Sequence, residues 1–277
     1  MDETTSRNSF DPDAAKRRCL AFRRRILEVS QQVTALHIGS AYSCTEIVDC
    51  VYYGLMNRGA DGTTNDRFLM SKGHGCMIQY AILEDLGILS RKDMDEYCTA
   101  EGILGCHPDY GNPGIEASTG SLGHGLSMAV GMAYATKVAR ENGLVYCVLS
   151  DGEVQEGSTW EATMMASSFG VNNLVAFIDN NDFQSLGRTS ETHPSFYPVR
   201  EKFEAFGWEC AEVDGHESLA IFDAVNSRRG DKPFMAVCKT TKGKGVSYME
   251  NVPIWHYRSP SPEEYQTALE ELAGASS

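Results

Sequence analysis

Two apolar runs joined by one helical segment constrain the fold of this chain more than any other feature. The runs, Leu144–Leu149 and Leu174–Ile178, are rich in β-branched and apolar residues, and the segment around Thr159–Phe169 between them is helix-like. A strand–helix–strand unit of this kind forms a right-handed crossover, which brings the ends of both strands to the same edge of a parallel sheet. The sequence therefore predicts a parallel sheet whose loops meet at that edge.

The residues that follow the two runs carry groups that suit a cation and a phosphate. Asp151 and Gly152 follow the first run, and residues 179–182 (Asp-Asn-Asn-Asp) follow the second. Mg²⁺ prefers octahedral oxygen coordination and commonly combines one or two protein ligands with substrate phosphates. Asp-Gly and Asn-Asn are each weak signals alone, but their separation by one crossover strengthens them. We therefore expect a divalent cation that bridges a diphosphate.

The rest of the chain continues the alternation of strands and helices. Further strands are predicted at Arg67–Met70, Trp208–Val213 and Phe234–Lys239. This pattern is typical of a doubly wound α/β fold, in which helices flank a mainly parallel sheet. Because no linker divides them, residues 1–277 are expected to form a single domain, with residues 1–14 flexible. Helices are predicted from Pro12 to about Val33, from Ser43 to about Met56 and over Ser218–Arg228. Two more are predicted to begin at Ser90 and at Ser261, and another to end at about Ala139.

Two local patterns concern the first two helices. Ser43 and Glu46 have the spacing of a capping box, which predicts a helix start at Ser43. The first helix carries a basic run, which is more typical of a solvated face than of a docking patch. The basic residues are Lys16, Arg17, Arg18, Arg23, Arg24 and Arg25.

Composition excludes several classes of protein. The formal net charge of −14 argues against a nucleic-acid or anionic-membrane partner, so an anionic ligand would need a metal or backbone N–H groups. No apolar run approaches the ~18 residues of a membrane span, and the N-terminus has no apolar signal core, which predicts a cytoplasmic protein. The nine cysteines are scattered and never spaced as Cys-x-x-Cys, so we expect reduced, mostly buried thiols.

Histidines recur in the glycine-rich breaks of the chain. His37, His74, His107 and His124 adjoin a glycine or lie one residue from one, and His256 lies in a comparable loop. A lone loop histidine is more often a surface group, but several at strand ends favour a site, because doubly wound sheets bind ligands there. Imidazoles at such a site can donate to phosphate or transfer protons near neutral pH. No Gly-x-Gly-x-x-Gly or P-loop pattern is present, so the dinucleotide interpretation fails.

These motifs resemble the thiamine diphosphate family, whose signature is Gly-Asp-Gly followed, after a spacer, by Asn-Asn. Over about residues 15–260 the chain is most similar to the N-terminal, diphosphate-binding half of transketolase, in the form in which the enzyme is divided between two polypeptides. The motifs that carry the resemblance occur in family order, namely 71–75 (Ser-Lys-Gly-His-Gly), 105–108 (Gly-Cys-His-Pro), 119–125 (Thr-Gly-Ser-Leu-Gly-His-Gly), 151–157 (Asp-Gly-Glu-Val-Gln-Glu-Gly), 242–245 (Lys-Gly-Lys-Gly) and 255–256 (Trp-His).

The resemblance implies a cofactor, a metal and roles for individual residues. Asp151, Asn181 and the backbone carbonyl of Phe183 would ligate Mg²⁺ or Ca²⁺. Glu156 would lie at a subunit contact that links paired active sites. Thiamine diphosphate would be contacted by His74, Gly120, Ser121, Leu122, Gly152, Glu153 and His256, and the donor and acceptor carbonyls by His37, His107 and His256.

The chain departs from the family pattern at three places. Ser150 replaces the first glycine of Gly-Asp-Gly, which could shift the diphosphate turn. Leu36 and Ile38 flank His37, where full-length enzymes have Gly-His-Pro. Ser121 replaces a proline that is common in full-length enzymes.

The resemblance also implies a missing half. The glutamate that activates thiamine belongs to a pyrimidine-binding domain in this family, and so do most sugar-phosphate contacts. We therefore expect a diphosphate-binding subunit of a two-component transketolase, a transferase that moves a two-carbon ketol unit from a ketose (phosphate) to an aldose. Its partner would be a C-terminal, pyrimidine-binding subunit in an α₂β₂ heterotetramer. The alternatives are thiamine-dependent acyloin or ketol transfer on a specialised metabolite, and a non-catalytic regulatory paralogue.

Overall fold

The chain is built around a five-stranded, fully parallel sheet with the strand order β1-β2-β3-β7-β6. It is described from a computed structural model that covers residues 10–59, 61–185 and 187–275. A separate short hairpin pairs β4 with β5. The strands are β1 (Arg67–Met70), β2 (Val145–Ser150), β3 (Leu174–Asn180), β4 (Phe183–Gln184), β5 (Gly187–Arg188), β6 (Glu209–Asp214) and β7 (Phe234–Lys239).

Helices cover both faces of this sheet, which is why its central strands β2 and β3 are apolar up to the polar residues at their carboxyl ends. Every residue of β2 is buried. Since side chains alternate along a strand, Tyr146 and Val148 enter one core and Cys147 and Leu149 enter the other. The helices are α1 (Pro12–Ser30), α2 (Ile38–Ser43), α3 (Thr45–Cys50), α4 (Met77–Asp85), α5 (Arg91–Asp95), α6 (Gly125–Ala139), α7 (Gly157–Phe169), α8 (Thr189–Thr192), α9 (Val199–Ala205), α10 (Ser218–Asn226) and α11 (Pro262–Gly274).

The direction in which successive strands are added to the sheet reverses once. β1, β2 and β3 are neighbours in sequence order, β6 forms the edge of the sheet, and β7 lies between β3 and β6. Right-handed crossovers place α7 and α9 on one face of the sheet, and the reversal places α10 on the other. The predicted doubly wound α/β fold is confirmed, and the strand at Arg67–Met70 has the predicted bounds.

The predicted capping box at Ser43 is wrong. Helix α2 ends at Ser43 and α3 begins at Thr45, after Cys44. The Ser43 hydroxyl instead donates to Asp179 at the end of β3. The Glu46 carboxylate pairs with a guanidinium of α1. Tertiary partners distant in sequence thus replace the local cap.

The interpretation of the basic run on α1 as a solvated face is wrong for three of its arginines. Arg18 pairs with Asp49, Arg23 with Glu46, and Arg25 with Glu84, at N–O distances of 2.7, 2.6 and 2.7 Å. Arg23 is only 4% exposed. These pairs dock α1 onto α3 and α4, so this part of the run is structural.

Other sequence predictions concern thiols, membranes and the N-terminus. All nine cysteines are free and most are buried, as predicted. Within the described ranges, no helix is long and apolar enough to cross a membrane. The prediction of a flexible segment over residues 1–14 falls partly outside the described residues, which begin at residue 10; helix α1 begins at Pro12.

We predict that Phe177→Ala lowers the free energy of unfolding by about 3–5 kcal/mol. Phe177 lies in the middle of β3, is fully buried and packs in the core that contains α1, so truncation leaves a cavity between rigid elements. Urea denaturation of the purified chain measures the change. Tyr110→Ala, at a position that is 76% exposed, is the control and should change stability by less than about 0.5 kcal/mol. Equal effects of the two substitutions would contradict this account of the core.

Candidate active site

Four neighbouring strands end at one edge of the sheet, and their following residues surround a single cavity. Lys72 comes two residues after β1, Gly152 two after β2, Asn181 directly after β3, and Lys242 three after β7. The cavity has a volume of about 360 Å³. Its lining comprises His37, Ser40, Lys72, His74, His107, Gly120, Leu122, Ser150, Gly152, Gln155, Glu156, Asn181, Phe183, Gln184, Ser185, Lys242 and His256.

Four of the predicted histidines form one cluster in this cavity. The His37 ring lies centrally, with its centroid 5.3 Å from that of His74, 5.9 Å from His107 and 5.2 Å from His256. These rings come from the start of α2, the turn after β1, the glycine-rich loop before α6 and the loop after β7. His124 is exposed and lies outside the lining. The structure thus brings together four histidines that are far apart in sequence.

Burial and neighbouring cations keep the imidazoles of His37, His74 and His256 neutral. Burial lowers the pKa of His37 to about 4, with smaller contributions from His107 and the lysines. Burial, and then Lys242, lower the pKa of His256 to about 3. The pKa of His74 is also well below its ordinary value, because the ring is buried beside Lys72. A neutral imidazole has one N–H donor and one acceptor nitrogen, so each ring can exchange a proton with a bound oxygen.

One of the two lysines in the cavity is already neutralised by the protein. The Lys72 ammonium pairs with Asp179 and donates to the Ser40 carbonyl at 2.9 Å. Asp179 also accepts from the hydroxyls of Ser43 and Thr240. The Asp179 carboxylate is therefore fully engaged, and the charge of Lys72 is balanced inside the fold.

The other lysine, Lys242, is a buried cation without a carboxylate partner among the described residues. Its side chain is 1% exposed, and Nζ lies 2.7 Å from His256 Nδ1. Burial and the nearby Lys72 lower the pKa of Lys242 to about 8, so the ammonium is mainly charged at neutral pH. Because an isolated buried charge is costly, this position suits an anionic ligand that enters the cavity.

The two loops of the central crossover meet as the sequence predicted. The Asp151 carboxylate accepts hydrogen bonds from the backbone N–H groups of Gly152, at 2.8 Å, and Asp182, at 2.6 Å. Asn181, adjacent to Asp182, accepts the Phe183 N–H through Oδ1 at 3.0 Å. Burial, and then the charge of Asp179, raise the pKa of Asp151 to about 7. Negative charge on this carboxylate is thus undercompensated, which suits a cation.

The predicted metal site uses only one carboxylate from the protein. In the described part of the chain, no group of three or more His, Cys, Asp or Glu side chains could hold a metal ion. The predicted set contains one carboxylate, one amide and one backbone carbonyl, from Asp151, Asn181 and Phe183. Carboxylate and amide oxygens with substrate phosphates match the preference of Mg²⁺. The donor types therefore fit the predicted ion.

Three predicted residues lie outside the cavity lining. Asp151 is fully buried, and Ser121 is exposed. Glu153 is also fully buried; its Oε1 accepts from the Ser71 hydroxyl at 2.5 Å and from the Gly123 N–H at 2.9 Å, and its Oε2 has no hydrogen-bond partner among the described residues. Glu153 therefore connects the turn after β1 to the loop before α6, two segments that contribute residues to the cavity lining.

Glycine is required where backbone and rings approach closely. Gly120 has φ +133°, and a Cβ there would lie 2.5 Å from His107 Cδ2. A Cβ on Gly73 would lie 2.6 Å from the Gly120 backbone nitrogen. These contacts press the loop before α6 onto the turn after β1. The position of the His107 ring therefore depends on the two glycines.

Sequence reasoning missed the lysines. Lys72 and Lys242 lie in two of the motifs that carry the family resemblance, at 71–75 and 242–245, but neither side chain was assigned a role. The available signal was position, since both lysines closely follow apolar strands. Ser40, Gln155, Gln184 and Ser185 also line the cavity and were not predicted.

The chain is similar to known proteins over nearly its whole length. Residues 15–266 match the family described as transketolase, thiamine diphosphate binding domain. The chain is 40% identical over 256 residues to one subunit of the apulose-4-phosphate transketolase from Phocaeicola vulgatus, and the match covers 91% of each protein. It is 35% identical over 256 residues to the 6-deoxy-6-sulfo-D-fructose transketolase subunit SqwG from Clostridium sp., covering 90% of this chain and 93% of that relative.

Solved structures agree with the sequence relatives. The transketolase from Campylobacter jejuni superposes with a TM-score of 0.88 at 25% identity, and the match covers 95% of this chain but 43% of that one. This chain thus spans less than half the length of that transketolase, and its matched region carries the same fold. The family match and the nearly full-length relatives confirm the resemblance that the motifs predicted, and the chain belongs to the transketolase family of thiamine diphosphate-binding domains.

Proposed function

We propose that this chain is the diphosphate-binding subunit of a two-component, thiamine diphosphate-dependent transketolase. The proposal is supported by relatives whose names describe each as one subunit of a transketolase, and which align with this chain over more than 90% of their length. The two-carbon ketol unit would pass from a ketose (phosphate) to an aldose. A cytoplasmic location stays a prediction of the sequence.

The observation that carries the proposal is the buried Lys242 ammonium. It faces the cavity without a carboxylate partner in the described chain, so a diphosphate can supply the missing negative charge. His74, His256 and the Gly152 backbone line the same cavity and would hold the diphosphate oxygens. Asp151, Asn181 and the Phe183 carbonyl would hold Mg²⁺ or Ca²⁺ against it. When bound, thiamine diphosphate supplies the electron sink for the making and breaking of carbon–carbon bonds.

The histidine cluster would manage protons at the substrate oxygens. His256 accepts from Lys242 at Nδ1, so its own proton is on Nε2. His107 lies next to the central His37 ring, and both rings are free of carboxylate contacts in the described structure. An imidazole at either position can donate a hydrogen bond to a carbonyl oxygen or, through its acceptor nitrogen, accept a hydroxyl proton.

The cavity does not contain everything that the reaction requires. Among its described lining residues, Glu156 carries the only carboxylate, and the family resemblance places this residue at a subunit contact. The acid that activates the cofactor would therefore come from a pyrimidine-binding partner chain. We propose an α₂β₂ assembly in which the cofactor lies between the two kinds of chain.

An exposed apolar face on α6 and α7 also supports a subunit contact. Helix α7 begins directly after Glu156, and α6 packs beside it. On these helices, the Tyr134 and Phe169 rings stack at a centroid distance of 4.5 Å. Single apolar residues on a surface are ordinary, but a contiguous group marks an interaction site. The exposed members of this apolar face are Tyr134, Val138, Met164, Met165 and Phe169.

We predict that Asp151→Ala abolishes metal-dependent binding of thiamine diphosphate to the assembled enzyme. The substitution removes the only charged group of the proposed metal site. Calorimetry with and without Mg²⁺ measures the loss. Asp151→Asn keeps the shape of the side chain but removes the charge, and it should weaken binding strongly too. Asp231→Ala, on the exposed surface, is the matched control. An unchanged affinity in both Asp151 variants would refute the site.

We predict that the purified chain alone has no transketolase turnover and becomes active only with its partner chain. Co-purification with the product of the neighbouring gene should yield a complex of both chains. A donor–acceptor screen with thiamine diphosphate and Mg²⁺ then identifies the substrates. Turnover by the highly purified single chain would overturn the two-component proposal.

We predict that His107→Ala lowers kcat by about 10²–10⁴ and leaves cofactor affinity nearly unchanged. Among the histidine rings described, His107 contacts only His37, whereas His256 contacts Lys242, so His107 should act on substrate oxygens rather than on the diphosphate. Steady-state kinetics and calorimetry separate the two effects. His193→Ala, at an exposed position outside the cavity, is the control. A His107 variant with full kcat would remove this residue from the mechanism.

A further inference from the structure

His216 connects the loop that carries Lys242 to the interior of the fold. It follows β6 and lies next to the β7 end in the sheet. Its Nε2 accepts the backbone N–H of Thr241 at 2.8 Å. Its Nδ1 lies 3.0 Å from the Glu46 carboxylate on α3. One imidazole thus bridges the residue directly before Lys242 and a buried acid.

These two contacts define the tautomer of His216. A backbone N–H can only donate, so Nε2 must present its lone pair to Thr241. The proton of the neutral ring is therefore on Nδ1, where it donates to Glu46. Such an orienting carboxylate fixes which ring nitrogen is the acceptor. His216 can consequently hold the Thr241 amide in one defined place.

The acid behind His216 is itself held firmly. Arg23 on α1 donates two hydrogen bonds to Glu46, at 2.6 and 2.8 Å, and a third to the Tyr42 carbonyl at 2.9 Å. Burial alone would raise the pKa of Glu46, but the Arg23 guanidinium and the hydrogen bond from His216 together lower the pKa to about 2. Planar, bidentate pairs of this kind add geometric precision to electrostatic energy.

The loop after β7 needs such an anchor because of the charge it carries. Lys242 is buried near a second cation, Lys72, which disfavours the ammonium at this position. The Lys242 carbonyl accepts the Asn251 N–H at 2.9 Å, and the following Gly243 N–H donates to the Gly39 carbonyl at 3.1 Å. His216 adds a further hydrogen bond to this loop, by accepting the N–H of Thr241, the residue directly before Lys242.

We propose that His216 is a positioning residue, which together with Glu46 and Arg23 places the Lys242 ammonium to receive the diphosphate of the cofactor. The inference rests on the proposed function of the cavity and extends it to residues that do not touch the cavity. None of these three residues lines it, so each acts only through the loop. The relay runs from α1 through α3 and the loop after β6 to the loop after β7.

A double-mutant cycle on the assembled enzyme tests the proposal. His216→Leu should raise the Kd for thiamine diphosphate with Mg²⁺ about tenfold, because the Thr241 amide loses its acceptor. His216→Gln should recover most of the affinity, since its Oε1 can accept the same N–H. In a Lys242→Met background, the further effect of His216→Leu should fall below about twofold, because the two changes act through one contact.

Additional measurements separate this proposal from a purely structural role and from failure of the proposed function. Nitrogen NMR of the chain without cofactor should show the His216 proton on Nδ1, and Glu46→Gln should reproduce the loss of affinity if His216→Leu does not fold. Independent, additive effects of His216→Leu and Lys242→Met, or an unchanged Kd in a folded His216→Leu, would overturn the positioning role. If Asp151→Ala and Lys242→Met also leave the Kd unchanged, the cofactor site itself is wrong.

Discussion

The buried ion pair between Lys72 and Asp179 is the interaction on which the arrangement of the site depends. Lys72 follows β1 and Asp179 lies near the end of β3, while Ser43 and Thr240 bring α2 and the loop after β7 to the same carboxylate. Removal of one member of a buried pair leaves the other uncompensated, at a cost of roughly 3–5 kcal/mol. A single carboxylate therefore holds together elements from three strand ends and one helix.

Some charged side chains of the site are neutralised by partners within the described chain, and others are not. The positive charge of Lys72 is neutralised by Asp179, and that of Arg23 by Glu46. Within the described chain, Lys242 lines the cavity without such a partner, and the Asp151 carboxylate is buried next to Gly152 of the lining, also without an ion-pair partner. A diphosphate with its cation would supply the two missing charges. The protein thus holds a preformed pattern that is complementary to a metal-bound anion.

Local pattern predicted the strands and the crossover, and it failed where a residue is defined by a distant partner. Apolar runs and crossover lengths located β2, β3 and the meeting of Asp151 with the loop at Asn181. In contrast, Glu46 had the spacing of a cap but pairs with Arg23, and Arg23 belonged to a basic run that was expected to be solvated. Lys242 begins the 242–245 motif, but that motif did not predict a role for its side chain. Its role depends on burial and on having no carboxylate paired with it among the described residues, which no linear pattern encodes.

The exposed apolar face of α6 and α7 has a consequence for how a cell makes this protein. Solvent-exposed stacked rings and methionines favour self-association whenever copies of this chain exceed copies of the partner chain. Translation of both chains in matched amounts would keep the unassembled pool small. Gene dosage and message order would then influence the soluble yield of the complex as directly as any contact within it.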